Sequence, residues 1–253
     1  MGIEYLNIEL TTACNKSCPF CVRVEARDNN ELKIREMSGE LLDLILSQYK
    51  GSIIQFHRNG EPLLYSGLRE LGEKCKGYIT NIVTNGKLLM ERKDDLKYFT
   101  SITVSVYEGD VNQIEQIKSF NKQVEKPMLL VKLLGDYDNL EFDKLGIKTL
   151  KRSIHNPTKN NNYRGSLPPI PELGICLDFL MKPSIDVDGN VFICNRYDPL
   201  YKGMLGNIKK DSLDWIWNVN PLRLEWLELH KKGKRNEIPL CTECHYWGCP
   251  TNG

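Results

Sequence analysis

Tyr5-Leu6-Asn7-Ile8-Glu9-Leu10 leads, after three further residues, into Cys14-Asn15-Lys16-Ser17-Cys18-Pro19-Phe20-Cys21. The first segment alternates apolar and polar residues and reads as a β-strand. The second places three cysteines on the loop that leaves it, with three and two residues between them. A soluble iron–sulfur cluster normally takes four thiolates, so three on one loop leave an iron open for another ligand.

Working outward from this loop, Arg23 to Arg35 is polar and reads as a long loop. Ser38 is placed to cap a helix carrying Leu41, Leu42, Ile45, Leu46 and Tyr49 on one face, and Gly51 ends it. Ile53 to Phe56 is a second strand that runs into the polar turn His57-Arg58-Asn59-Gly60-Glu61-Pro62. The alternation then repeats. Leu68 and Leu71 mark a helix, Tyr78 to Val83 a strand ending in Thr84-Asn85-Gly86, and Leu88 to Tyr98 a helix. Ser101 to Val106 is a fourth strand, and Val111, Ile114 and Ile117 give a helix after Asp110. Met128 to Leu134 is a nearly continuous apolar strand of the kind buried on both faces. Leu140 to Leu145 is a short helix and Ile147 to Leu150 a sixth strand. This order predicts an α/β fold with a parallel sheet, right-handed crossovers, and a ligand site at the carboxyl ends of the strands. Cys14, Glu61, Asn85, Ser105 and Lys132 all fall at or near such ends.

The composition of the 253 residues, 41% hydrophobic and 26% charged, fits a globular chain with a sizeable core. Lys plus Arg number 34 against 33 Asp plus Glu, which points to neither nucleic acid nor an anionic membrane as partner. No apolar run reaches the roughly 20 residues of a membrane span. No signal peptide is visible, and Leu6 stands where a myristoylation signal needs Ser or Thr. The expected location is cytoplasmic.

Nine cysteines is an odd count, which argues against a disulfide framework. Eight fall into groups: Cys14, Cys18 and Cys21; Cys176 and Cys194; Cys241, Cys244 and Cys249. Cys75 stands apart and reads as a buried thiol. Metal ligation is the reading the grouping favours.

After the sixth strand the pattern changes. The stretch from His155 to Glu172 contains Pro157, Pro168, Pro169, Pro171 and an Asn160-Asn161-Asn162 run, and reads as a linker. Ser184 to Ile193 reads as a hairpin turning at Asp188-Gly189, flanked by Cys176 and Cys194. Asp211 or Ser212 caps a helix through Leu213, Ile216 and Trp217, and Leu222, Trp226 and Leu229 extend its stripe as core positions. The expected division is residues 1–154 as the α/β domain, 155–173 as linker, and 174–253 as a small C-terminal domain.

The cysteine loop resembles the signature of the radical S-adenosylmethionine (radical SAM) superfamily. Asn59-Gly60-Glu61-Pro62 is similar to that family's Gly-Gly-Glu-Pro turn, with Asn in the first position. The resemblance covers roughly residues 4 to 152 and implies a partial six-stranded (β/α)6 TIM-like barrel. It implies a 4Fe–4S cluster on Cys14, Cys18 and Cys21, with S-adenosylmethionine at the open iron. The cofactor contacts it implies are Phe20, Asn59, Gly60, Glu61, Asn85, Ser105 and Lys132, the Glu-Pro turn meeting the cofactor's amino group. In the family, reductive cleavage of the sulfonium yields a 5′-deoxyadenosyl radical that abstracts a substrate hydrogen.

Cys176, Gly189, Cys194 and Cys241-x-x-Cys244 resemble the "twitch" domain, a shortened SPASM domain. It implies a second, auxiliary 4Fe–4S cluster on Cys176, Cys194, Cys241 and Cys244. A structural zinc site on the same four thiolates is the alternative that spacing leaves open. The resemblance implies oxidation of a sugar-like or cyclitol carbon, with the auxiliary cluster taking an electron; Arg152, His155 and Arg164, near the end of the sixth strand and in the loop after it, are placed to bind a substrate hydroxyl, phosphate or carboxylate. An epimerase using Cys249 as hydrogen donor, on a sugar or a ribosomal peptide, is the alternative. A non-catalytic iron–sulfur or zinc protein, a redox sensor or scaffold, is the alternative of another class. A flavodoxin or ferredoxin is the implied reductant.

Overall fold

A computed structural model describes residues 2–21, 23–152, 175–242 and 244. Six parallel strands, β1 (Tyr5–Ile8), β2 (Ile53–Phe56), β3 (Ile79–Thr84), β4 (Ser101–Val106), β5 (Met128–Leu134) and β6 (Lys148–Arg152), lie side by side in chain order. Short helices connect them: α1 (Val24–Asp28), α2 (Gly39–Gln48), α3 (Leu68–Lys74), α4 (Lys93–Leu96), α5 (Val111–Gln123) and α6 (Glu141–Lys144). Among the described residues the sheet stays open, with β6 at one edge.

The alternation of each strand sorts its side chains onto two faces. Leu6, Ile8, Ile54, Phe56, Ile82, Ile102, Val104 and Val131 are completely buried on the convex face. They form one core with Leu41, Leu42 and Ile45 of α2, Leu68 and Leu71 of α3, and Ile117 and Phe120 of α5. Each such side chain contributes about 1.5–3 kcal/mol by leaving water. The expected caps form: Ser38 Oγ accepts from Leu41 N at 3.2 Å, and Asp110 Oδ1 from Gln113 N at 3.2 Å. Cys75 is buried, as expected, at the end of α3.

The opposite face carries a polar ladder over β2 to β4. Gln55 Nε2 donates to Asn81 Oδ1 at 2.9 Å, and Asn81 Nδ2 donates to Ser101 Oγ at 2.8 Å and Thr103 Oγ1 at 3.0 Å. This ladder cross-links three neighbouring strands without apolar packing.

Four sequence expectations need correction. The β5 segment is not buried on both faces. Leu129, Val131 and Leu133 are buried, but on the other face Met128 is 49% exposed and Leu130 and Leu134 are only partly buried. The loop from Arg23 to Arg35 contains the short helix α1. The helix expected over 88–98 is reduced to α4. The continuous C-terminal helix is broken into a π-helical turn, Trp215–Val219, and α8 (Pro221–Lys231), α7 being Leu177–Met181. The break falls at Asn220, since a residue before proline disfavours helical geometry. Asn220 instead caps α8, its Oδ1 accepting from Leu222 N at 2.9 Å. Trp217 and Trp226 are core residues, as expected.

The expected hairpin forms from β7 (Ser184–Ile185) and β8 (Asn190–Phe192), and β9 (Met204–Asn207) adds antiparallel to β8. β7 pairs in parallel with β1, so the C-terminal strands extend the barrel sheet in the order β6-β5-β4-β3-β2-β1-β7-β8-β9. Asn7 N donates to Pro183 O and Glu9 N to Ile185 O, both at 2.9 Å. Among the described residues no helix is long and apolar enough to cross a membrane.

Candidate active site

The cysteine loop leaves the carboxyl end of β1 and is tied down at its base. Glu61 N donates to Ala13 O at 2.7 Å, and Ala13 N to Thr11 Oγ1 at 3.1 Å. Arg23, just past the loop, is buried. Its guanidinium donates to Thr12 O at 2.6 Å and to Asn59 O, clamping the loop to the turn after β2. Cys14 is exposed, and Cys18 and Cys21 are partly buried. Burial pushes the Cys14 and Cys18 thiols up, and each of the three thiols lies within reach of the others' charge. Three thiols on one tethered loop match in number the donors of a cluster with one open iron. Among the described residues, no three His, Cys, Asp or Glu side chains are grouped closely enough to hold a metal ion as they stand.

The turn after β2 has a buried anchor. Glu61 Oε1 accepts from Leu63 N at 3.0 Å and Thr84 Oγ1 at 2.6 Å, and Oε2 from Asn85 N at 2.7 Å. The carboxylate therefore caps the turn Pro62–Leu64 and joins it to the end of β3. Gly60 packs directly on the β1 end, where a Cβ would fall 1.9 Å from the Thr11 carbonyl oxygen. Only glycine fits there, and the Asn59–Gly60 backbone is held against the cysteine loop.

Asn85 reaches that loop from the other side. Its Nδ2 donates to Asn15 Oδ1 at 2.7 Å. Gln113, fully buried on α5, fixes the Asn85 and Ser105 carbonyls with bonds of 2.5 and 2.9 Å. Ser105 and Lys132 are register partners on β4 and β5, and Leu134 is paired with Arg152 on β6. His57 faces this group. Burial, reinforced by Lys132 and Arg152, pulls its imidazole down to about 3. Burial and then Arg152 pull Lys132 down to about 8. Asn59, Gly60, Glu61, Asn85, Ser105, Lys132 and Arg152 thus line one end of one sheet.

A cavity of about 350 Å³ adjoins this end, lined in part by Glu9, Arg23, Arg58, Asn59, Asp186 and Tyr197. Glu9 is buried, and its Oε1 accepts from Asn59 N at 3.2 Å. Burial pushes its carboxyl up, against the pull of Arg58. The Arg58 guanidinium lies 3.9 Å from the Phe192 ring centroid.

The C-terminal thiols come from three segments: Cys176 before α7, Cys194 after β8, and Cys241 and Cys244 in a turn closed by Cys244 N to Cys241 O at 3.0 Å. Arg196 Nη1 donates to Leu240 O at 2.6 Å beside that turn. Burial pushes Cys176 up to about 11 and Cys241 up to about 12, and raises Cys194 further. Charge from Cys244 and Cys176 acts on Cys241, and charge from Cys241 on Cys194, so the three segments bring their thiols into one neighbourhood. Cys249 and the 155–173 linker lie outside the described residues. The sequence reading missed Glu9 and Arg23. Glu9 had a signal, since it follows Asn7 at the strand period and so shares the polar face.

Residues 176–245 match the SPASM domain, an iron–sulfur cluster-binding domain. The fold, an open six-stranded parallel α/β sheet continued by this domain, is shared along nearly the whole chain with solved structures. Among solved structures, BtrN in complex with AdoMet and 2-DOIA is similar at TM-score 0.64 and 22% identity, over 96% of this chain and 94% of that one. BtrN in an open conformation is similar at TM-score 0.63 and 21% identity, over 96% and 92%. Streptococcus suis SuiB bound to S-adenosylmethionine is similar at TM-score 0.69 and 17% identity, over 96% and 72%. No curated protein matches the chain.

Proposed function

We propose that the chain is a radical SAM enzyme that abstracts hydrogen from a carbinol carbon of a sugar-like or cyclitol substrate and oxidises it, with an auxiliary 4Fe–4S cluster as electron acceptor. The observation that carries this reading is convergence. The three-thiol loop, the Asn59–Glu61 turn and the Ser105–Lys132 pair meet at one end of one sheet, which the C-terminal strands extend. The same fold is found in a protein crystallised with AdoMet and 2-DOIA.

Cys14, Cys18 and Cys21 hold the first cluster, and Cys176, Cys194, Cys241 and Cys244 the second. When bound, the first cluster and S-adenosylmethionine supply a 5′-deoxyadenosyl radical. Phe20, Asn59, Gly60, Asn85, Ser105 and Lys132 position the cofactor. Glu61 acts through the turn it holds, because its carboxylate already accepts three internal bonds. Arg152 binds substrate by charge and hydrogen bonding. Oxidation of an alcohol also releases the hydroxyl proton. Glu9, buried at the cavity wall with its carboxyl pushed up, is the acceptor on the same side of the sheet.

The test is anaerobic reconstitution with iron and sulfide, followed by reduction. Two loaded clusters mean about eight irons per chain. The reduced protein is expected to convert S-adenosylmethionine into 5′-deoxyadenosine and methionine. Loaded protein that never does so, or protein that takes up zinc in place of iron, defeats the proposal.

A further inference from the structure

Glycine aside, only Asn30 and Tyr201 among the described residues hold a left-handed backbone, with φ of 60° and 56°. Asparagine tolerates that region. A bulky aromatic residue there is an outlier, because its Cβ crowds the next carbonyl. The loop imposes the conformation. Asp198 is buried, and its carboxylate accepts from Lys202 N at 2.9 Å and Gly203 N at 2.7 Å. Tyr201 N donates to Asp198 O and Met204 N to Tyr201 O, both at 3.2 Å. A glycine at position 201 would serve this tight loop better. Core packing does not account for the tyrosine either, since it is 46% exposed. Strain of this kind, kept where the fold does not need it, points to function.

Tyr201 lines the 350 Å³ cavity beside the site. Its ring lies 27° from parallel to the buried Phe192 ring, with centroids 5.9 Å apart, and Phe192 lines the same cavity. Together they give the wall an apolar aromatic face. The rest of the wall carries four acidic and four basic side chains, a balance that favours neither an anion nor a cation. Most of the inner charges are engaged. Asp186 Oδ1 accepts from Asp188 N and Asn190 N, both at 2.9 Å, Asp198 is bound as above, and Arg23 clamps the cysteine loop. Glu9 accepts a single bond, from Asn59 N, while Nε and Nη1 of Arg58 have no partner. An acceptor and a donor therefore keep capacity, and a hydroxyl group uses both. An apolar face beside them complements a saturated ring, which shows C–H bonds on its face and hydroxyls at its edge. We propose that Tyr201, backed by Phe192, is the platform on which an uncharged hydroxylated ring lies in this cavity, and that it selects cyclic substrates over open-chain polyols. An open chain has no fixed face to lay on the ring, and it loses more internal freedom on binding.

The inference rests on the proposed function, in which a ring carbon is oxidised. Its test is titration calorimetry of the iron-loaded, oxidised protein under anaerobic conditions with S-adenosylmethionine present. The probes are myo-inositol and D-mannitol, which carry the same number of hydroxyls on a ring and on an open chain. The parent is expected to bind myo-inositol about tenfold more tightly than D-mannitol. Tyr201→Gly accepts the left-handed backbone and so keeps the loop, and it is expected to erase that preference. Tyr201→Phe is expected to retain it. Iron content and affinity for S-adenosylmethionine should match the parent in both variants. Absence of myo-inositol binding, equal binding of the two polyols by the parent, or a preference that survives Tyr201→Gly overturns the inference. So does weakened S-adenosylmethionine binding in Tyr201→Gly, which would assign the ring to the cofactor. Loaded protein that prefers myo-inositol yet never cleaves S-adenosylmethionine after reduction leaves the platform standing and overturns the proposed function.

Discussion

Removing the Glu61 side chain tests whether this residue serves the site through its turn or by touching the cofactor. In the structure the carboxylate is buried and accepts from Leu63 N, Thr84 Oγ1 and Asn85 N. Glu61→Ala strands all three donors. The Thr84 hydroxyl can rotate, but the two backbone amides cannot. A buried donor left unsatisfied costs about 1–3 kcal/mol, so two amides alone predict a loss of roughly 2–6 kcal/mol. Glu61→Gln keeps the shape and one acceptor but aims an amide donor at other donors, with an expected loss of about 1–3 kcal/mol. The global loss is read from denaturant unfolding. Hydrogen exchange reads the local one, with about tenfold faster exchange at Leu63 and Asn85 for each 1.4 kcal/mol of opening. Affinity for S-adenosylmethionine, measured by equilibrium dialysis, should fall in parallel, since Asn59, Gly60 and Asn85 lose their placement. Parental stability and exchange in Glu61→Ala, combined with lost cofactor binding, would refute this reasoning and assign the carboxylate to the cofactor itself.

Acidification should destabilise the fold through two histidines. Burial holds His57 near 3 and His230 near 4, so between about pH 6.5 and pH 4 the unfolded chain takes up protons that the native state refuses. Their contribution is intact above pH 6.5 and is lost as the pH falls, by up to about 1.4 kcal/mol per pH unit per histidine. His230 packs against Phe179 with centroids 4.4 Å apart, so a His230→Phe variant compared with its parent at pH 7, 6 and 5 isolates one share. Identical pH dependence in parent and variant counts against it. Cys194→Ala should remove about four irons per chain while the electron paramagnetic resonance signal that responds to S-adenosylmethionine persists. Full iron content in that variant would remove Cys194 from the ligand set.

Much of the fold was legible because its signals are local. The period-2 alternation of Tyr5–Leu10 and the helical spacing of Leu41, Leu42 and Ile45 follow from backbone geometry, and both elements formed. So did the Ser38 and Asp110 caps and the Asp188-Gly189 hairpin. The Asn220 break was also local and could have been found, since Pro221 announces it. The β5 segment was different. Its composition says that it is apolar, but only the arrangement of six strands leaves one of its faces open.

The site divides in the same way. By itself the sequence determined the three-thiol loop, the Asn59–Glu61 turn and the four later thiols as groups, because ligand spacing within a loop is a local property. Tertiary structure alone decided that β7 pairs with β1 and so places the C-terminal strands beside the barrel. It decided that Glu61 is saturated by β3, and that Arg23 clamps the loop to the next turn. It also set Tyr107 and Lys16 against each other, although 91 positions separate them. The reason is physical. A side chain's charge state, burial and hydrogen-bond partners depend on the register between strands far apart in sequence, and that register exists only once the sheet has packed on its core.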